Sequence, residues 1–222
     1  MRDKKPMLTQ FGAAWVVKIT KTNTAEDLMR SCLRNYAYFP YILYVAVSGF
    51  LLCAPASAQQ DVTPKMQPKV DAYKKKIQEW AAHPDLVKSV KEANAKGPVP
   101  GMANAKWREL KENDPAVENF VKNPVGQLVT QWLNEDAMGI NKVVVSGDKS
   151  QRVAFTSMPA IYIGKGRPNF DTSFDEGKVW QQAQVQPDPS TQIPTVQVSA
   201  PVRDGGKIIG VLLVSLTAVA LQ

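Results

Sequence analysis

The chain has 222 residues, 44% of them hydrophobic and 21% charged, which is typical of one globular domain and leaves too little chain for two full ones. Residues 1–58 hold seven Lys or Arg and three Asp or Glu, so 20 basic and 17 acidic side chains remain and residues 59–222 carry a net charge of +3. Because those lysines mostly alternate with acids along helical segments, the charge pattern argues against a nucleic-acid partner.

Residues 1–58 have the features of a secretion leader. An apolar run of 13 residues at 41–53 follows two arginines and precedes an Ala-Ser-Ala cleavage pattern at 56–58. The run is short for a bilayer span, so the sequence predicts a cleaved leader and a periplasmic or secreted protein. A single uncleaved N-terminal membrane anchor is the alternative.

Met29 lies directly ahead of the basic patch and is the expected true start of the chain. Both cysteines, Cys32 and Cys53, fall in the leader. The exported part is therefore expected to contain no disulfide and no thiol chemistry.

The first part of the exported chain is predicted to be helical. Residues 59–69 are polar with two prolines and are predicted to form a disordered lead-in. Apolar residues then recur at steps of three and four over 70–81, the spacing of an amphipathic helix. Asp85 is predicted to cap a second, short helix, which ends at the Pro/Gly-rich loop over 97–101.

Further helices are predicted before residue 139. A short one surrounds Trp107, and another begins at Asp114-Pro115, since aspartate is a good N-cap and proline suits the first helical position. Pro124 is predicted to kink or split that helix. The tryptophans on the helical stripes are predicted to be core residues: Trp80, Trp107 and Trp132.

The pattern changes to strands after Gly139. Two β-branched runs, 140–145 and 153–157, flank a turn and predict a hairpin. A second hairpin is predicted from the alternating segment 195–202, a tight Asp-Gly-Gly turn, and the apolar segment 207–217. A loop-rich insertion separates the two hairpins.

The terminal hairpin, which reads VQVSAPVRDGGKIIGVLLVSLT, resembles the last strand pair of the extracytoplasmic PAS-like sensors called Cache or PDC domains. The matching positions are Ser199, Pro201, Val202, Asp204, Gly205, Gly206, Lys207, Ile209, Gly210 and Val211. The resemblance covers residues 70–221 and implies a single α+β domain over 70–222, with N-terminal helices packed on a five-stranded antiparallel PAS-like sheet. Relatives sit between two membrane helices of a receptor, whereas this chain stops at Gln222, directly after the last strand.

The resemblance also implies a pocket between the sheet and the connecting segment 162–180. We predict ligand contacts at Thr156, Tyr162, Asp171, Trp180, Gln197 and Ser199. For each of these residues, packing within the protein or exposure to solvent is the alternative. The strand alternation places Gln197 and Ser199 on one face. An aromatic side chain such as Tyr162 supplies both contact area and a directed hydrogen bond.

No catalytic residue, metal site or cofactor is predicted, because His83 is the only histidine and no nucleophile can be paired with it. The function that the sequence favours is an exported small-molecule-binding, sensor-type domain without catalysis, acting alone in the periplasm. The expected ligand is an organic acid or similar metabolite, and the expected partner is a membrane receptor or a second copy. The alternative is a structural or protein-interaction module with a filled pocket that dimerises through its N-terminal helix.

Overall fold

The computed structural model describes residues 60–222, so the predicted leader lies outside the described residues. The helices are α1 (Gln67–Ala81), α2 (Pro84–Lys96), α3 (Asn104–Trp107), α4 (Pro115–Lys122), α5 (Pro124–Glu135), α6 (Pro168–Phe174) and α7 (Ala218–Leu221). The strands are β1 (Gln60–Asp61), β2 (Ile140–Gly147), β3 (Arg152–Phe155), β4 (Trp180–Gln181), β5 (Gln184–Pro187), β6 (Pro194–Asp204) and β7 (Lys207–Thr217). Within 60–222, no helix combines the length and the hydropathy that a bilayer crossing requires.

The strands form one antiparallel sheet in the order β1-β5-β6-β7-β2-β3, and β4 pairs separately with β6. Both predicted hairpins, β2-β3 and β6-β7, are present. The predicted α+β class is confirmed. The described sheet has seven strands instead of the predicted five. The two additional strands, β1 and β4, have two residues each; β1 pairs with β5, and β4 pairs with β6.

The sheet has two different faces, as the alternation along β6 predicted. Val198 pairs with Val214 and Ala200 with Leu212, and all four are fully buried in the main hydrophobic core. Helices α1, α2 and α5 cover this face. The opposite face, which carries Ser199, is covered by α6.

The three tryptophans predicted to be core residues are buried. Trp80 of α1 stacks on Trp132 of α5, with ring centroids 4.8 Å apart and planes 6° apart. Trp107 lies in a second cluster, where its ring meets Phe120 and Phe155 edge to face. Large aromatic pairs of this kind stabilise a core beyond the area that they bury.

The helix ends follow the predicted signals with one exception. Asp114 caps α4 by accepting a hydrogen bond from the Ala116 N–H at 2.9 Å, as predicted. Pro124 splits the long predicted helix into α4 and α5. The cap of α2 is His83, because its Nδ1 accepts from the Asp85 N–H at 3.3 Å, and Asp85 itself sits in the first turn.

The predicted disordered lead-in over 59–69 differs from the structure, which is ordered from Gln60 onward. The Val62 N–H donates to the Ala183 carbonyl at 3.0 Å, and Met66 buries its side chain in the core. Helix α1 begins at Gln67, whereas the apolar pattern indicated a start at Val70. Pro68 fits the first turn of the helix, because the N–H that proline lacks would have no partner within the helix there.

Candidate functional site

A cavity of about 530 Å³ lies beside β3, beneath the loop that joins α2 to α3. Its walls come from the end of α2, that loop, α4, the start of α5, and β3. Its lining includes Glu92, Lys96, Val99, Phe120, Arg152 and Tyr162. Small-molecule sites usually measure about 300–1,000 Å³ and combine apolar walls with a few polar groups, so this cavity has a suitable size and composition.

Tyr162 is held in the cavity wall by contacts on three sides. Its N–H donates to Asn104 Oδ1 at 2.8 Å, and its carbonyl accepts from the Arg152 N–H at 3.1 Å. Its ring lies 5.4 Å from the ring of Trp107, and its hydroxyl accepts from the Val99 N–H at 2.8 Å. Burial raises the pKa of the Tyr162 hydroxyl, which therefore stays protonated and free to donate one hydrogen bond.

Arg152 brings a positive charge to the same wall. Its Nε donates to the Ile161 carbonyl at 3.0 Å, and its Nη1 donates to Ser146 Oγ at 2.7 Å. No carboxylate among residues 60–222 lies within 4 Å of it, although nine lysine–carboxylate pairs form there. Burial, together with nearby Arg167, lowers the pKa of Arg152 to about 10. Arg152 is half-buried, and a guanidinium in such a position without an anion is suited to bind the carboxylate of a ligand.

Two further charges stand at the rim of the cavity. Glu92 and Lys96 project from the last turns of α2, and both are exposed. Gln151 forms part of the floor and is fixed by Asn94, whose Oδ1 accepts from the Gln151 Nε2 at 3.2 Å. The rim therefore offers both signs of charge, whereas the Arg152 side of the wall is positive.

A groove of about 590 Å³ on the outer surfaces of α4 and α5 has a similar volume. Its lining consists mostly of polar surface side chains such as Lys122, Gln127 and Gln131. It contains neither a buried aromatic nor a shielded charge, and it therefore has less to offer a small ligand.

Of the six residues predicted to contact ligand, Tyr162 lines the cavity and the other five lie elsewhere. Gln197 and Ser199 share a face of β6, as predicted, but α6 covers them. Asn169 Nδ2 donates to Gln197 Oε1 at 3.0 Å, and the hydroxyls of Ser173 and Ser199 lie 2.9 Å apart. Side chains of α6 thus occupy the space in which the sequence placed a ligand.

The remaining three predicted contacts serve local structure. Thr156 Oγ1 accepts from the Val143 N–H at 3.0 Å, which ties β3 to β2. Asp171 accepts from the Gly166 N–H at 3.2 Å and stands near the exposed Lys165. Trp180 is half-buried on β4, opposite Ser199 of β6.

A buried ion pair was not predicted. Lys142 Nζ on β2 donates to Asp188 Oδ1 at 2.6 Å, and the two side chains are 5% and 0% exposed. Burial would raise the pKa of Asp188, but the hydrogen bonds from Lys142 and Ser190 outweigh it and lower that pKa. Asp188 Oδ1 also accepts from the Ser190 and Thr191 N–H groups at 3.0 and 3.3 Å. The pair therefore fastens the turn before β6 to the sheet.

Within the part of the chain that the structure describes, three or more metal-ligating side chains do not come together anywhere.

No protein-family model and no curated protein matches this chain. Among solved structures, it is similar to the sensor domain of the V. cholerae histidine kinase DctB, at 13% identity over 71% of this chain and 52% of that one, with a TM-score of 0.47. It is also similar to the ligand-binding domain of the Campylobacter jejuni chemoreceptor Tlp3 in complex with 4-methylisoleucine, at 15% identity over 71% and 56% and a TM-score of 0.41. A third is the ligand-binding domain of the Pseudomonas aeruginosa chemoreceptor PctB in complex with L-Arg, at 13% identity over 71% and 53% and a TM-score of 0.37.

The chain spans about half the length of these solved domains. All three are sensor or ligand-binding domains, the class that the terminal hairpin indicated. The resemblance to Cache domains predicted neighbours of this class.

Proposed function

We propose that this protein is an exported, non-catalytic, sensor-type domain that binds a small organic acid in the cavity beside β3. The proposal rests on Arg152, a half-buried residue that lines a cavity of about 530 Å³ and has no carboxylate partner among the described residues. A ligand carboxylate would supply the missing anion, and a charge-assisted pair of this kind is stronger than a neutral hydrogen bond.

The arrangement around Arg152 supports a carboxylate over a neutral ligand. Lys96 at the rim adds a second positive charge, and the Tyr162 hydroxyl can donate a hydrogen bond. Apolar contact comes from Val99 and Phe120 on the opposite walls. A small acid with a short apolar body therefore has a partner for each of its parts.

The absence of catalysis is part of the proposal and is supported by the state of His83. That side chain uses Nδ1 to cap α2 and packs edge to face on Trp132 at 5.7 Å. It lies outside the cavity lining, and no cluster of three metal-ligating side chains forms within residues 60–222. The cavity is thus proposed to bind its ligand without changing it.

Thermal unfolding of the protein against a library of organic acids and amino acids tests the proposal. A ligand at 100 times its dissociation constant stabilises the native state by about 2.7 kcal/mol, which for a domain of this size raises Tm by roughly 5–10 °C. We expect such a shift with carboxylates and none with their amides. No shift from any carboxylate would contradict the proposal.

Variants then locate the site. Arg152→Gln and Lys96→Gln should each reduce the ligand-induced shift, and the exposed Lys96 can be replaced without loss of folding. Lys122→Gln removes an exposed lysine outside the cavity lining and should leave the shift unchanged. An equal effect of all three variants would show that general charge, and not this cavity, attracts the ligand.

A structural module with a filled pocket is the second candidate, and the contact of α6 with β6 favours it. The Ser173–Ser199 and Asn169–Gln197 hydrogen bonds close the face on which the sequence placed a ligand. Dimerisation through α1 has less support, because its exposed positions are Pro68, Lys69, Asp71, Ala72, Lys75, Gln78 and Glu79. Sedimentation equilibrium at high protein concentration tests this second candidate, because a protein that stays monomeric would count against it.

A further inference from the structure

The loop between α2 and α3 has the construction of a movable cover over the proposed ligand cavity. Gly97 and Gly101 have positive φ values of 73° and 71°, and the residues between them are Pro98, Val99 and Pro100. Prolines restrict their own backbone and that of the residue before them, so the three residues form a stiff unit. Glycines at both ends supply the freedom that such a unit needs in order to move.

Both flanks of this loop are fixed to the rest of the protein. On one side, Asn94 of α2 donates through Nδ2 to the Ile209 carbonyl at 2.7 Å. On the other, Asn104 of α3 donates through Nδ2 to the Ile163 carbonyl at 3.1 Å, and Trp107 Nε1 donates to the Pro159 carbonyl at 2.7 Å. The region that can move is therefore confined to the few residues between these anchors.

One hydrogen bond connects the stiff unit to the opposite wall of the cavity. The Val99 N–H donates to the Tyr162 hydroxyl at 2.8 Å. The Val99 side chain is 42% exposed although it is apolar, and a side chain added at Gly101 would meet nothing within 4 Å. The loop thus exposes an apolar side chain at its centre and has free space beside its second hinge.

We propose that residues 98–100 form a lid that swings about Gly97 and Gly101 and is held closed over the cavity by the bond from Val99 to Tyr162. This inference rests on the proposed function only for the identity of the ligand. The lid motion itself is expected in the ligand-free protein. Opening breaks the bond from Val99 to Tyr162 and, where Gly101 rotates, the turn bond from the Met102 N–H to the Val99 carbonyl at 3.0 Å, whereas the anchors on both flanks stay in place. The lid controls the access of the organic acid to Arg152.

Amide hydrogen exchange of the ligand-free protein, followed by NMR at increasing low urea concentrations, tests the lid. We expect the Val99 amide to exchange through a local opening that is insensitive to urea. The amide of Val214 in the central strand β7 should exchange at least 100-fold more slowly and only with urea-dependent unfolding. Equal rates and equal urea dependence at Val99 and Val214 would overturn the proposal.

Gly101→Ala provides the second measurement, with Gly166→Ala as its matched control. Both glycines have positive φ, 71° and 84°, and neither has an atom within 4 Å of an added Cβ, but Gly166 lies in a different loop, between β3 and α6. A left-handed conformation costs a non-glycine residue about 1–2 kcal/mol, or roughly 5-fold to 30-fold in an equilibrium. Gly101→Ala should accelerate Val99 exchange by that factor relative to Val214, and Gly166→Ala should leave the ratio unchanged. The same change in both variants would contradict the lid.

The outcomes separate the lid from the ligand proposal. Local opening at Val99 in a protein that binds no carboxylate would contradict the proposed function and leave the lid proposal intact. Carboxylate binding to a protein whose Val99 amide exchanges only on global unfolding would contradict the lid and leave the proposed function intact. If both hold, a bound organic acid should slow exchange at Val99.

Discussion

Replacing Lys142 with methionine should be among the most destabilising single changes in the sheet. The substitution keeps a flexible side chain of similar length but removes the ammonium group that lies 2.6 Å from Asp188 Oδ1. Asp188 is then left as a fully buried carboxylate without its cation. Removing one partner of a buried pair costs about 3–5 kcal/mol, and we expect a loss of that size.

Two companion variants isolate the cause. The pair Lys122–Glu118 has the same 2.6 Å separation, but its side chains are 68% and 41% exposed, so Lys122→Met should cost less than about 1 kcal/mol. The double variant with Lys142→Met and Asp188→Asn should recover most of the loss, because no buried charge remains and the amide oxygen can still accept from the Ser190 N–H.

Urea unfolding at pH 7 and pH 3 measures these differences. The pKa of Asp188 in the folded state is below its unfolded value, so its stabilising contribution is complete above that unfolded value, about 3.9, and is lost as the pH falls through the folded pKa. The cost of Lys142→Met should therefore be larger at pH 7 than at pH 3. An equal free-energy cost of Lys142→Met and Lys122→Met at pH 7 would contradict the importance of the buried pair.

Three smaller predictions follow from single contacts. Burial beside a carboxylate raises the pKa of Tyr73 to about 12, so part of the stability should be lost as pH rises from 10 toward 12, and Tyr73→Phe should lack that component in unfolding curves. Gly126→Ala should lower Tm, although Ala ordinarily stabilises a helix, because its Cβ would lie 2.4 Å from two backbone carbonyls; a raised Tm would contradict this packing. Ser173→Ala should cost about 1–2 kcal/mol by leaving the Ser199 hydroxyl unpaired, and the double alanine variant should cost less than the two single changes added together.

The elements that local signals specify were predicted from the sequence. The Asp204-Gly205-Gly206 turn sits at the expected place, with Gly205 and Gly206 at φ values of 54° and 89° that favour glycine. Asp114 and Pro124 likewise act at helix ends through their own backbone and side-chain chemistry. Such signals depend on a few neighbouring residues, so they survive in almost any tertiary context.

Apart from Tyr162, the cavity could not be predicted in the same way, and neither could the buried ion pair, because their residues meet through the tertiary fold. Lys142 and Asp188 are 46 positions apart, and each alone reads as a solvated charge. Arg152 begins a short edge strand, where a charged residue is normally exposed. Gln197 and Ser199 were placed on the correct face, but their burial under α6 depends on a helix within the segment that read as loop-rich.

Amide chemical-shift mapping by NMR, with the organic acid that stabilises the protein most, tests the central claim directly. We expect shifts at Val99, Gln151, Arg152 and Tyr162, which line the cavity beside β3. Shifts confined to Gln197 and Ser199, beneath α6, would contradict it, because the ligand would then occupy the face of the sheet that side chains fill here.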